Sequence, residues 1–200
     1  NFTTLINGPQ GFNCITGNPS VVFSNEMDAQ GSWTGNIGTG NRLWRFNSGG
    51  TSSGGTGPLG SHSGTGYAYF ESSSGSPAVA SMVSPAIDLS GGNNFAELSF
   101  WYHAFGTSIG TLDVGVSTSA AGPFTNLWTY SGQLQANQAD PWQQVGINLD
   151  TYVGSTIYLE YTYTMNGTAF TQDVAVDLIE VSTCQSCAAP SSLAASNVTA

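Results

Sequence analysis

Along most of the chain apolar and polar residues alternate with a period of two, the pattern of strands with one buried face. The clearest stretch spans residues 95–117, FAELSFWYHAFGTSIGTLDVGVS. In its first half Leu98, Phe100 and Tyr102 share one face, and Ser99, Trp101 and His103 share the other. In its second half Leu112, Val114 and Val116 point inward, and Thr111, Asp113, Gly115 and Ser117 point outward. Residues 106–110, with glycine at each end, read as the loop of a hairpin joining the two halves. The first half is apolar or aromatic on nearly both faces, which places it inside a two-layer structure.

Further strands are predicted at 21–28, 43–46, 67–71, 78–83, 87–89, 124–130, 142–149, 157–163 and 173–181. In the last of these, Val174, Val176 and Leu178 fall on one face, and Ala175, Asp177, Ile179 and Val181 on the other. No window carries helical periodicity. About ten short strands separated by turn residues predict an all-β chain, a two-layer antiparallel β-sandwich of jelly-roll type. Residues 48–66 form a long glycine-rich loop, either flexible or organised by a ligand.

Composition agrees with this class: 26 of 200 residues are glycine and only 7% are charged. Twelve acidic residues against two arginines, Arg42 and Arg45, give a formal charge of -10. Nucleic acid is excluded as a partner, since phosphates need basic groups to neutralise them. Anionic membranes and sulfated glycans are disfavoured for the same reason. No apolar run approaches the ~20 residues of a membrane span, so membrane insertion is not expected. The chain starts at Asn1 without methionine, as a processed or excised piece of a longer protein would.

Cys14, Cys184 and Cys187 lie at the two ends. A bridge from Cys14 to Cys184 or Cys187 would staple the termini and suits a secreted domain; a local Cys184–Cys187 pair is the alternative. Residues 188–200 change character and resemble the opening strand of a fibronectin type III module. The domain proper is therefore expected at 1–187, with 188–200 as a linker or truncated second module.

Several segments, in order, are similar to one family. SPAIDLS at 84–90, LSFWYH at 98–103, the glycine loop running into Leu112, Leu127-Trp128, WQQV at 142–145 and DVAVD at 173–177 resemble MAM domains, extracellular β-sandwich modules. The resemblance runs from about Val22 to Cys184, and His62-Ser63 resembles the family's D-H-T loop. Two positions depart from it: Glu97 stands where the family usually has a cysteine, and the paired acids of the last strand become Asp177 followed by Leu178. Together with the fibronectin-like tail, the resemblance implies a non-catalytic adhesion or ligand-binding module of a secreted, extracellular bacterial multidomain protein, monomeric within its parent chain. It also assigns Trp33, Trp44, Trp101, Trp128 and Trp142 to the core.

No catalytic residues are expected. Residues 106–110 fit G-x-S-x-G, but a nucleophile elbow needs a strand-to-helix turn, and here two strands are joined. His62 and His103 are the only imidazoles, and His103, ending an apolar strand, is expected to make a structural hydrogen bond. Calcium is the better chemistry, because hard cations take carboxylate and carbonyl oxygens. Glu26 and Asp28 share a face of the first strand, and Asp177 sits in an otherwise apolar last strand that can neighbour it. These three, with loop carbonyls near 63–66, are the candidate metal ligands. For a carbohydrate ligand the candidates are Tyr130, Tyr158 and Phe105, aided by the amide-rich stretch 133–140. The expected partner is a neutral polysaccharide, with a cell-surface protein as the alternative for an adhesion or spacer module.

Overall fold

A computed structural model describes residues 19–91 and 95–184. Twelve strands occur among the described residues: β1 (Ser20–Asn25), β2 (Thr34–Gly35), β3 (Trp44–Asn47), β4 (Tyr67–Phe70), β5 (Val79–Val83), β6 (Ile87–Asp88), β7 (Phe95–His103), β8 (Thr111–Ser117), β9 (Thr125–Ser131), β10 (Gln143–Asn148), β11 (Thr156–Thr164) and β12 (Ala175–Cys184). They form two six-stranded sheets. The first runs β10-β7-β12-β4-β3, with β1 also on β12; the second runs β2-β5-β11-β8-β9, with β6 also on β11. The all-β, two-layer antiparallel sandwich predicted from the alternation is the observed fold.

The inner faces meet through aromatic rings, which bury large apolar area and lock geometry by edge-to-face contact. Phe100 of β7 meets Tyr161 of β11 at 5.3 Å and Trp128 of β9 at 5.4 Å. Phe70 of β4 meets Tyr163 of β11 at 4.8 Å. The Trp44 Nε1–H donates across the layers to the Ala80 carbonyl at 3.0 Å. Trp33, Trp44 and Trp128 are core residues, as expected. Trp101 and Trp142 are not: both are half-buried on the outside of the first sheet.

Residues 95–117 are not a hairpin. β7 pairs with β10 and β12 in the first sheet, while β8 pairs with β9 and β11 in the second. The connection therefore crosses from one layer to the other, and the apolar faces of the two strands oppose each other through the core. Gly106 takes a left-handed φ of +149° and packs on the Thr171 carbonyl. Gly110 lies against the Thr164 carbonyl and donates its N–H to the Tyr163 hydroxyl at 2.7 Å. Either glycine would bring a Cβ into a backbone carbonyl, which is why this link carries glycine at both ends.

β12 changes phase partway along. Its register with β7 shifts between Asp177 and Glu180, and Leu178 takes a φ of +40°. Val176 faces the core before the irregularity; Ile179 and Val181 face it afterwards, and Leu178 does not. One extra residue flips the alternation, so the single-phase assignment of this strand is corrected. The same irregularity lets β12 pair with β4 through its first half and with β1 through its second. β1 ends at Asn25, and Met27, at a φ of +56°, turns inward. Glu26 and Asp28 thus leave from a turn and not from a strand face. Cys184 is buried at the end of β12; Cys14, Cys187 and the segment 188–200 lie outside the described residues.

Candidate functional site

The two sheets present very different outer faces. On the first, Tyr67 and Tyr69 of β4, Ala175 of β12 and Trp142 form a second, smaller buried cluster. Residues 48–66 cover it. The His62 ring stacks on Trp101 with centroids 3.7 Å apart and planes 17° from parallel. The backbone N–H groups of His62 and Ser63 donate to Asp177 Oδ2 at 2.7 and 3.0 Å, and those of Thr65 and Gly66 donate to Asp28 Oδ1 at 2.7 and 2.6 Å. Farther along, Ser52 Oγ donates to Glu71 Oε2. Thr56 Oγ1 donates to the Phe105 carbonyl at 3.0 Å and accepts from the Asp173 N–H at 2.8 Å. The glycine-rich segment is a fastened roof.

Glu26, Asp28 and Asp177 all border this roof. Burial, and after it the charge of Glu26, raises the Asp177 pKa to about 6, against the lowering effect of its N–H donors. The field of Glu26 also reaches His62, whose pKa burial lowers. Among the described residues no three His, Cys, Asp or Glu side chains are grouped closely enough to hold an ion. Two of the three candidate ligands instead receive amide protons. Asp28 Oδ2 and the Glu26 carboxylate accept no hydrogen bond from a described residue, so the donor set retains hard oxygens.

His103 differs from the expectation. It is fully buried beside Trp142, and among the described residues neither ring nitrogen meets a partner at full hydrogen-bond geometry, Asp140 being the polar group it faces. Burial drives its pKa down to about 4, Asp140 opposing, so the imidazole is neutral near pH 7. Ser108, the serine of G-x-S-x-G, donates its N–H to the Thr171 carbonyl in the interlayer link.

The three aromatic candidates do not come together. Phe105 lies in the β7–β8 link, its carbonyl taken by Gly57 N–H and Thr56 Oγ1. Tyr130 packs on Tyr102 and Trp128 at the inner side of β9. Tyr158 sits between core residues Ile157 and Leu159 of β11 and therefore points to the outer face of the second sheet.

That outer face is polar and half-exposed, with Ser117 at its far end buried. β8 presents Thr111, Asp113, Gly115 and Ser117, each paired in register with Thr164, Thr162, Glu160 and Tyr158 of β11. On its other side β9 places Ser131 beside Thr111 and Thr129 beside Asp113. A bulge at Leu127 then brings Asn126 opposite Gly115. Hydroxyls link the strands: Thr111 with Ser131 at 2.6 Å, and Ser81 with Thr162 at 2.6 Å. Asp113 Oδ1 accepts from Thr129 Oγ1 at 2.5 Å and from Asn126 Nδ2 at 3.2 Å. Its Oδ2 has no donor among the described residues. Gly115 is the floor of a cleft of about 220 Å³ walled by Asp113, Phe124, Asn126, Glu160 and Thr162. A Cβ at Gly115 would come within 3.2 Å of the Phe124 Cβ, so a side chain there would press on Phe124 and narrow the cleft. Glu160 has its pKa raised by burial, offset by the Thr162 and Ser81 hydroxyls. The sequence held the signals for this surface, in the outward set of β8 and in Tyr158, but Phe124 and Asn126 reach it through the β9 bulge.

Residues 23–188 match the MAM domain family (meprin/A5/mu). Neuropilin-1a of Danio rerio is 37% identical over 106 residues, which is 50% of this chain and 11% of that protein. The chain thus spans about a tenth of the length of this curated relative. Among solved structures, the K1 cleaved adhesin domain of Lys-gingipain from Porphyromonas gingivalis W83 has 17% identity and a TM-score of 0.53, covering 86% of this chain and 100% of that one. The Stig cyclase Fisc from Fischerella sp. TAU has 12% identity and a TM-score of 0.53, covering 90% and 98%. At these identities the two structures share the sandwich with this chain.

Proposed function

The chain belongs to the MAM domain family, and from that premise we propose that it is a non-catalytic binding module that holds neutral carbohydrate on the outer face of its second sheet, as part of a secreted protein. One observation carries this reading: a cleft on this face brings the half-buried Phe124 together with Asp113, Asn126 and Glu160 around Gly115. A half-buried aromatic ring stacks on the C–H face of a sugar, and fixed carboxylate and amide groups exchange hydrogen bonds with its hydroxyls. Two carboxylates and a formal charge of -10 favour uncharged over anionic sugars. On the first sheet the described rings are engaged instead with the 48–66 roof, His62 stacking on Trp101 and Tyr67 packing on Trp142. The description of the K1 domain as an adhesin fits a binding role. Fisc, a cyclase, carries a similar sandwich, so the fold by itself does not argue against catalysis. The support for a non-catalytic reading is local. His62 is engaged with Trp101, His103 is sealed away from solvent, and Ser108 sits in a structural link.

Affinity electrophoresis through gels holding neutral polysaccharides tests this. The native chain is expected to be retarded in at least one of them, and Phe124→Ala to lose about tenfold in affinity, the equivalent of ~1.4 kcal/mol. Uniform migration in every gel would overturn the reading.

We also propose that calcium binds at the edge of the roof, with Glu26, Asp28 and Asp177 drawing together around it from positions that do not form an ion site in the structure itself. Its support is chemical: hard carboxylates at the edge of a carbonyl-bearing loop, with the charge of Glu26 acting on Asp177. A cation there would offset that repulsion and brace the roof. Millimolar calcium added to EDTA-treated protein should raise the melting temperature by several degrees, and an unchanged melting temperature would remove the ion from the account.

A further inference from the structure

A second, separately lined space lies beyond the cleft at Gly115, at the end of β8 and β11, with the core residues Ile109 and Met165 also on its border. About 390 Å³ of open space lies at the end of the same face, bordered by Gly110, Thr111, Ser131, Thr164 and Asn166. Thr111 and Asp113 are successive outward residues of β8, as Thr164 and Thr162 are of β11, and the pairs stand in register. The pairs that line the two spaces, Thr111 with Thr164 and Asp113 with Thr162, are therefore successive rows along the strand direction. Beyond Gly115 the next outward pair is Ser117 with Tyr158. From Thr164 to Tyr158 is six strand steps, about 20 Å, or roughly four pyranose units.

The chemistry along this line is uniform. Each row across the strands supplies a hydroxyl or carboxylate: Ser131, Thr111 and Thr164 in one, Thr129, Asp113 and Thr162 in the next. Hydroxyls donate and accept alike, as sugar hydroxyls do, so successive rows can meet successive sugars. Phe124 and Tyr158 add ring surface at separate points along the line.

Resting on the carbohydrate reading above, we infer that the face takes an internal run of a linear, uncharged polysaccharide laid along β8 and β11, and not a single sugar or a chain end. Single hydrogen bonds to exposed hydroxyls contribute little each; several rows engaged at once multiply.

Isothermal titration with linear gluco-, xylo- and manno-oligosaccharides of one to six units tests the inference. In at least one series affinity is expected to climb about tenfold or more from disaccharide to tetrasaccharide and then level off. Thr111→Val, which alters the second cleft alone, should weaken the tetrasaccharide severalfold and leave the disaccharide within about twofold. An affinity independent of length would overturn the extended track while leaving a one-sugar site intact. No binding by any series, together with no retardation in any polysaccharide gel, would overturn both this inference and the reading beneath it.

Discussion

Glu97 stands on β7 between Asn148 of β10 and Ser182 of β12 and is buried there. Burial, then the charge of Asp150, raises its pKa to about 7 from 4.5. A raised carboxyl pKa means that the folded chain still holds the proton at pH values where the unfolded chain has lost it. Stability is then highest below pH 4.5 and declines as pH climbs through 7. Asp173 adds to the same slope between 3.8 and about 6, because burial outweighs its bonds from Ser72. Glu97→Gln keeps the shape and removes one titration. We expect it to raise stability at pH 8 by about 1 kcal/mol, allowing for solvent screening, and to change nothing at pH 4. Urea unfolding at the two pH values reads this directly; a variant less stable at pH 8 would show that the ionised carboxylate has a favourable partner. The sequence marks Glu97 as a polar residue in an apolar strand, but its neighbour Asp150 follows β10, more than fifty residues away in the chain, so this coupling is set by tertiary pairing.

At the level of elements, the link between β7 and β8 is the most demanding piece of backbone. Gly106 has a left-handed φ and abuts the Thr171 carbonyl. Gly106→Ala should therefore destabilise the domain by roughly 2 kcal/mol or more, through both strain and overlap. Unfolding midpoints equal to those of the native chain would mean that the link relaxes without cost. The alternation of residues 95–103 and 111–117 was legible, and so were their inward residues. Their partners were not: alternation says which face is buried and says nothing about which edge is hydrogen-bonded. The last strand shows the same limit. The spacing of Val174 and Val176 against Ile179 and Val181 holds a change of phase, and Leu178 fits the earlier phase well enough to hide it. The family resemblance puts Trp101 and Trp142 inside, yet they pack under the roof because the first sheet buries rings on both faces.

For the whole molecule, the two outer faces divide the labour. The roof over the first sheet is fastened through Asp28, Asp177 and the His62–Trp101 stack, so two of the three carboxylates that the sequence offered as metal ligands also hold the loop. The second sheet keeps hydroxyls, carboxylates and two rings in the open, and of the three aromatic candidates Tyr158 alone lies on its outer face. That division is a property of layer assignment, which is why the fold class could be read from the chain and the binding face could not. The most direct measurement is a map of amide chemical-shift changes in the isotope-labelled chain, titrated with a neutral polysaccharide fragment that retards it. Changes are expected to concentrate in β8, β9 and β11, around Thr111, Asp113, Asn126 and Glu160, with the amides of residues 48–66 unmoved. Changes confined to the roof and the first sheet would contradict it.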